Sequence, residues 1–99
     1  MIDKNDILKF IRDHQNYLKE RFHLSKIGLF GSFARGANHS DSDIDLLIEL
    51  EPNTPHIYEL KNEMRSYFYD HFHRPIDLAR EKYLKPYAKN QILKETIYV

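Results

Sequence analysis

Hydrophobic positions in the first part of the chain recur with the spacing of a helix face. Ile7, Ile11, Leu18 and Phe22 form a stripe, widened by Leu8, Phe10 and either His14 or Tyr17, so an amphipathic helix is expected from Asp6 to about Phe22. Asp3 or Asn5 can cap its start, because a short acceptor side chain satisfies a first-turn N–H. The period then changes. Lys26-Ile27-Gly28-Leu29-Phe30 is a short apolar run that Gly31 stops, and its length and glycines mark a buried strand. Ser32 to Arg35 can open a short helix, residues 36–42 form a polar loop, and Ile44 to Leu50 read as a second strand closed by Glu51-Pro52-Asn53.

Thr54 and Pro55 offer a hydroxyl cap and a first-turn proline to a further helix. Its stripe is Ile57, Leu60, Met64 and Tyr67 or Phe68, and its end is expected near Asp70 to His73. Arg74-Pro75 turns the chain into a third short strand, Ile76-Asp77-Leu78-Ala79, in which Asp77 faces away from its two apolar neighbours. A connector from Arg80 to Leu84, a helix from about Pro86 to Glu95 and the β-prone Ile97-Tyr98-Val99 follow. The expected fold class is α/β (α+β): a small mixed β-sheet covered by helices on one side, in a single domain of residues 1–99.

Composition narrows the partners. Lys plus Arg and Asp plus Glu both number 15, so no overall field draws the chain to nucleic acid or an anionic membrane, and direct nucleic-acid binding is not expected. Without cysteine, any metal must be held by Asp, Glu or His. No apolar run approaches the roughly 20 residues that span a bilayer, and the first residues lack a signal-peptide pattern. A cytoplasmic location with no membrane partner is expected.

Two segments carry candidate chemistry. Gly31-Ser32 forms a turn directly after one strand, where first-turn N–H groups and the helix dipole favour a phosphate. Asp43 and Asp45 lead into the next strand two residues apart and therefore project to one face, where the carboxylates repel. A hard divalent cation relieves that repulsion, and Mg²⁺ takes carboxylate oxygens together with substrate phosphates. Plainer readings exist for each piece. Ser-Asp-Ser-Asp is also turn chemistry, Gly-Ser can be a helix cap, and Asp77 can be an exposed residue on an edge strand. Order, spacing and strand placement together favour the site. His71 and His73 read as surface polar residues rather than ligands; His39, in the loop between the two segments, could touch a nucleotide or simply be solvated. The aromatics Tyr58, Tyr67, Phe68, Tyr69 and Phe72 read as packing or interface, and the locally basic segment from Arg80 to Lys94 as a solvated face or a partner surface.

Gly31-Ser32-x-Ala34-Arg35-Gly36, followed after five residues by Ser42-Asp43-x-Asp45-Leu46, resembles the signature of the minimal nucleotidyltransferases of the DNA polymerase beta-like superfamily. The resemblance covers nearly all of the chain, and Asp77 falls where that family keeps its third carboxylate. It implies transfer of a nucleoside monophosphate from ATP or another nucleoside triphosphate to an acceptor hydroxyl, with release of pyrophosphate. On that reading Asp43, Asp45 and Asp77 hold two Mg²⁺ ions, and Asp77 either binds the metal nearest the acceptor or takes its proton. Gly31, Ser32, Ser42 and Arg35 bind the nucleotide; Arg35 can instead brace Asp43 or Asp45, the arrangement favoured here. Larger members carry extra domains for the base and acceptor, so a partner is expected to bring the acceptor. Chains of this size that resemble it are often antitoxins that silence an RNase toxin of the HEPN type by adenylylating a tyrosine. An adenylyltransferase antitoxin with a HEPN-type partner is the expectation. The alternatives are a non-catalytic antitoxin acting by stoichiometric binding, a small-molecule (antibiotic) nucleotidyltransferase, or another metal-dependent Asp-x-Asp chemistry that would not need the glycine-serine turn.

Overall fold

The computed structural model describes residues 2–99. Its elements are α1 (Lys4–Asp13), α2 (Gln15–Phe22), β1 (Leu24–Phe30), α3 (Gly31–Ala34), β2 (Ile44–Leu50), α4 (Ile57–Phe72), β3 (Ile76–Ala79), a 3₁₀ turn (Glu81–Tyr83), α5 (Pro86–Glu95) and β4 (Ile97–Tyr98). The strands form one mixed sheet in the order β3-β2-β1-β4; β1 runs antiparallel to both β2 and β4, and β2 runs parallel to β3.

The core lies between one face of this sheet and helices α1, α2 and α4. Ile7, Ile11, Leu18, Met64 and Phe68 from the helices meet Leu29, Ile44, Leu46, Ile48 and Leu78 from the strands, all of them buried. Strand alternation places Asp45, Leu47 and Glu49 on the other face of β2. Leu47 is buried as well, as a central strand demands when both its faces are covered. The β2-α4-β3 and β3-α5-β4 connections are parallel crossovers running in opposite directions across the sheet, so the usual right-handed sense puts α4 and α5 on opposite faces. Helix α5 accordingly packs against β1 and α3.

Local chemistry explains where the elements depart from expectation. The first helix is two, broken at His14, whose backbone is non-helical (φ −108°, ψ 14°) and whose Nδ1 lies 2.8 Å from the Phe10 carbonyl, competing with the backbone there. Asp3 is the cap, in a reciprocal box with Asp6. Helix α4 begins at Ile57 rather than at Pro55, because His56 is left-handed (φ 55°) and cannot belong to a helix. Thr54 does not cap it; its hydroxyl donates to the Glu51 carbonyl at 2.5 Å.

Candidate active site

The strand registers bring the acidic residues together. Phe30 of β1 is opposite Asp45 of β2, and Asp45 is opposite Asp77 of β3, so the three form a row across the sheet. Side chains level with one another on neighbouring strands share a face. Asp43, exposed, lies two residues before Asp45 at the start of β2. Gly31 follows Phe30 at the end of the same row, with φ +76°. A Cβ built there would lie 2.9 Å from Asp45 Cγ and nearer still to Oδ2. Glycine is therefore required twice over, by its left-handed backbone and by the carboxylate pressed against its Cα.

This crowding shows in the protonation of Asp45. Loss of solvent, then the charges of Asp77 and Asp43, then a side-chain hydrogen bond with Asp77, push its carboxyl up from an ordinary 3.8 to about 6; Arg35 pulls weakly the other way. Asp45 is half-buried and Asp77 exposed, so the cluster opens to solvent on one side.

Arg35 does not brace Asp43 or Asp45 by hydrogen bonds. Its Nη1 donates to both carboxylate oxygens of Glu95, at 3.1 and 3.0 Å. The Gly31 N–H donates to the same carboxylate at 2.6 Å. Glu95 thus takes the first donor of the glycine-serine turn, and its side chain is only 9% exposed. Ser32 follows in the first turn of α3, half-buried, with an N–H that the helix itself cannot satisfy. Sequence reasoning missed Glu95. A signal was present: a carboxylate in the last turn of a helix opposes the dipole and calls for a tertiary partner.

Ser42 is also placed differently from a nucleotide donor. It is 6% exposed, and its hydroxyl oxygen accepts the His39 N–H at 2.9 Å, closing the loop on itself. The Asp41 N–H donates to His39 Nδ1 at 3.2 Å, so His39 scaffolds the loop too. A surface depression of about 510 Å³ lies behind this loop against Arg74 and Pro75, and neither Asp45 nor Asp77 lines it. The acidic row sits on an open face instead.

A profile of the nucleotidyltransferase domain family matches residues 11–99. The chain belongs to that family. This nucleotidyltransferase is 31% identical over 99 residues to the protein adenylyltransferase MntA of Thermococcus cleftensis, covering 100% of this chain and 98% of the relative. A solved structure described as a minimal nucleotidyltransferase superposes with a TM-score of 0.76 at 27% identity, over 97% of this chain and 95% of the other. A toxin-antitoxin crystallised with AMP-PNP shares the fold, with a TM-score of 0.64 at 23% identity over 98% of this chain and 72% of the other.

The donors in this nucleotidyltransferase suit a hard divalent cation. All are carboxylates, and Asp45 carries a proton near pH 6 that a cation would displace. Among the described residues no three acidic or histidine side chains stand close enough to hold an ion together. Two would suffice for Mg²⁺, which completes its shell with water and substrate phosphates. No helix among the described residues is long and apolar enough to cross a membrane.

Proposed function

We propose that this nucleotidyltransferase moves AMP from ATP to a hydroxyl of a partner protein, as the antitoxin of a toxin of the HEPN type, in the cytoplasm. The observation that supports this most is the register of Asp45 with Asp77 beside the Gly31-Ser32 turn. The full-length similarity to a protein adenylyltransferase points to a protein acceptor. In the reaction the acceptor oxygen bonds to the α-phosphorus of the nucleotide, the bond from that phosphorus to the bridging oxygen breaks, and pyrophosphate leaves with the electron pair. Two Mg²⁺ ions held by Asp43, Asp45 and Asp77 would supply charge neutralisation at the phosphates and acidify the acceptor.

The chain's own groups divide the remaining work. Asp77, exposed on an edge strand, is open to an incoming acceptor and can receive its proton. Ser32 offers its hydroxyl and N–H to the phosphate tail. Arg35, half-exposed, can offer a phosphate the guanidinium nitrogens that Glu95 does not use. Ser42 contributes by holding the loop that presents Asp43.

The test is to incubate the purified protein, with and without the product of its neighbouring gene, with each labelled nucleoside triphosphate and Mg²⁺. Label from ATP is expected on the partner and absent with Asp43→Asn and Asp45→Asn variants that remain folded. Undiminished transfer by these variants overturns the assignment. Partner neutralisation that survives loss of label would move the function to stoichiometric binding.

A further inference from the structure

Away from the acidic row, the Arg74 side chain gathers three backbone carbonyls. Arg74 Nη1 donates to the carbonyls of Ser40 at 2.9 Å, Ser42 at 3.0 Å and His39 at 3.3 Å. Its guanidinium lies over the ring of Phe33, 5.4 Å from the centroid. Residues 36–42 have no strand neighbour to take up their carbonyls, and here a single nitrogen collects three of them, as a bound cation would. The consequence falls on Asp43. The Ser42 carbonyl before it is tied to Arg74, and the Ile44 N–H after it donates to the Pro75 carbonyl at 2.9 Å. Both peptide groups flanking Asp43 are therefore fixed to residues 74 and 75, which lead directly into the strand that carries Asp77. Phe33, beneath the guanidinium, belongs to the same short helix as Ser32. One residue thus touches the segments that bear Asp43, Asp77 and the glycine-serine turn.

We propose that Arg74 is a positioning residue that holds the Asp43 carboxylate in register with Asp45 and Asp77 for metal binding. The role rests on the metal reading given above. An arginine that only stapled a loop would change stability; one that sets the place of a metal ligand also changes affinity for the ion. The Arg74→Met variant keeps most of the length and loses the donors. Arg74→Lys keeps a single nitrogen with three N–H groups, which matches the single nitrogen used here.

Two readouts test this, neither of which needs turnover. Amide hydrogen exchange at Ser42 and Ile44 reports the loop, and Mn²⁺ binding followed by electron paramagnetic resonance, with AMP-PNP present, reports the site. Arg74→Met is expected to speed exchange at these amides while leaving those of β1 unchanged, and to weaken Mn²⁺ binding by about tenfold or more, as loss of a residue that orients a metal ligand does. Arg74→Lys is expected to restore most of both. Faster exchange in Arg74→Met with unchanged Mn²⁺ affinity reduces Arg74 to a loop staple and overturns the proposal, as does unchanged exchange. Should Arg74→Met fail to fold, Arg74→Gln replaces it; failure of both to fold also overturns it, since the residue then serves the fold itself. Wild-type protein that binds no Mn²⁺ would refute the metal reading and this role with it, whereas indifference confined to the variants refutes Arg74 alone.

Discussion

Replacing Asp45 by Asn should make the metal-free protein more stable, the reverse of what removing a half-buried hydrogen-bonding group usually does. Asp45 has its carboxyl raised from 3.8 to about 6 because the folded protein disfavours its charge. Between those two values the folded state holds a proton that the unfolded chain has released, so stability falls as pH rises from about 4 to about 6 and then levels off. At about 1.4 kcal/mol for each tenfold change in the protonation equilibrium, the displacement corresponds to about 3 kcal/mol, which solvent on the open side reduces to about 1–2 kcal/mol. Asn keeps the shape, can donate to Asp77 and carries no charge. In EDTA at pH 7.5 its melting temperature should exceed the wild type's by about 5–10 °C, given about 4–8 °C per kcal/mol for a domain of this size. The gap should shrink as pH falls towards about 4 and close near about pH 3, below the ordinary 3.8, where Asp45 is protonated in both states. Adding Mg²⁺ should raise the wild-type melting temperature and leave the Asn variant's unchanged, since a ligand stabilises only the state it binds. An Asn variant that melts below the wild type in EDTA at pH 7.5, or a gap that persists at pH 3, would show that the fold does not disfavour the charge on Asp45.

Other substitutions separate the contacts around the turn. Gly31→Ala combines a left-handed backbone with a collision against Asp45, so it should cost well over about 1 kcal/mol in urea unfolding and abolish transfer, whereas Gly36→Ala should cost only about 1–2 kcal/mol of backbone strain, because its φ is +70° and its Cβ would meet nothing within 4 Å. Equal losses at the two positions would contradict the close approach of Asp45. Glu95→Ala leaves the Gly31 N–H and Arg35 without their acceptor and should cost about 1–3 kcal/mol, with Glu95→Gln, which still accepts, losing less; denaturant midpoints give the order directly. Ser42→Ala should cost about 0.5–1.5 kcal/mol and speed exchange of the His39 amide, and its affinity for AMP-PNP should stay at the wild-type level if the hydroxyl serves the loop.

The elements most visible in the sequence were those whose period is unambiguous. The stripe of Ile7, Ile11, Leu18 and Phe22 and the run Ile44–Leu50 became helices and a strand at the expected places, because burial and propensity agree there. The start of α4 was not visible. It depends on one residue, His56, taking a left-handed backbone, and nothing in Thr54-Pro55-His56 signals that the helix should wait two residues. At the site, the nearness of Asp43 to Asp45 follows from a two-residue spacing at the entrance to β2, a local property. That Asp77 lies level with Asp45 is a matter of register between strands, and register is set by packing rather than by either strand alone. Arg35 shows the limit most clearly. Its partner, Glu95, is 60 residues away on α5, so the charge on Asp45 looked like the natural acceptor from sequence when a better one was waiting across the fold.

Four departures from local rules lie around the Gly31 turn and the loop before Asp43. Asp45 is a carboxylate in a central strand, Gly31 a left-handed residue between a strand and a helix, Glu95 an acid at the wrong end of a helix, and residues 39–42 a loop whose carbonyls lack a ladder. The first three meet at one turn: Asp45 lies against the Gly31 Cα, and Glu95 accepts the Gly31 N–H. The fourth is gathered by Arg74 beside Asp43. Other departures, such as the left-handed His23, Asn53 and His56, lie outside this group, but these four are concentrated where negative charge is held close together. A folded protein tolerates such concentration when something it binds brings compensating positive charge, and on the function proposed above a divalent cation would bring it. Arg35, whose charge acts only weakly on Asp45, spends its Nη1 hydrogen bonds on Glu95 rather than on the acidic row.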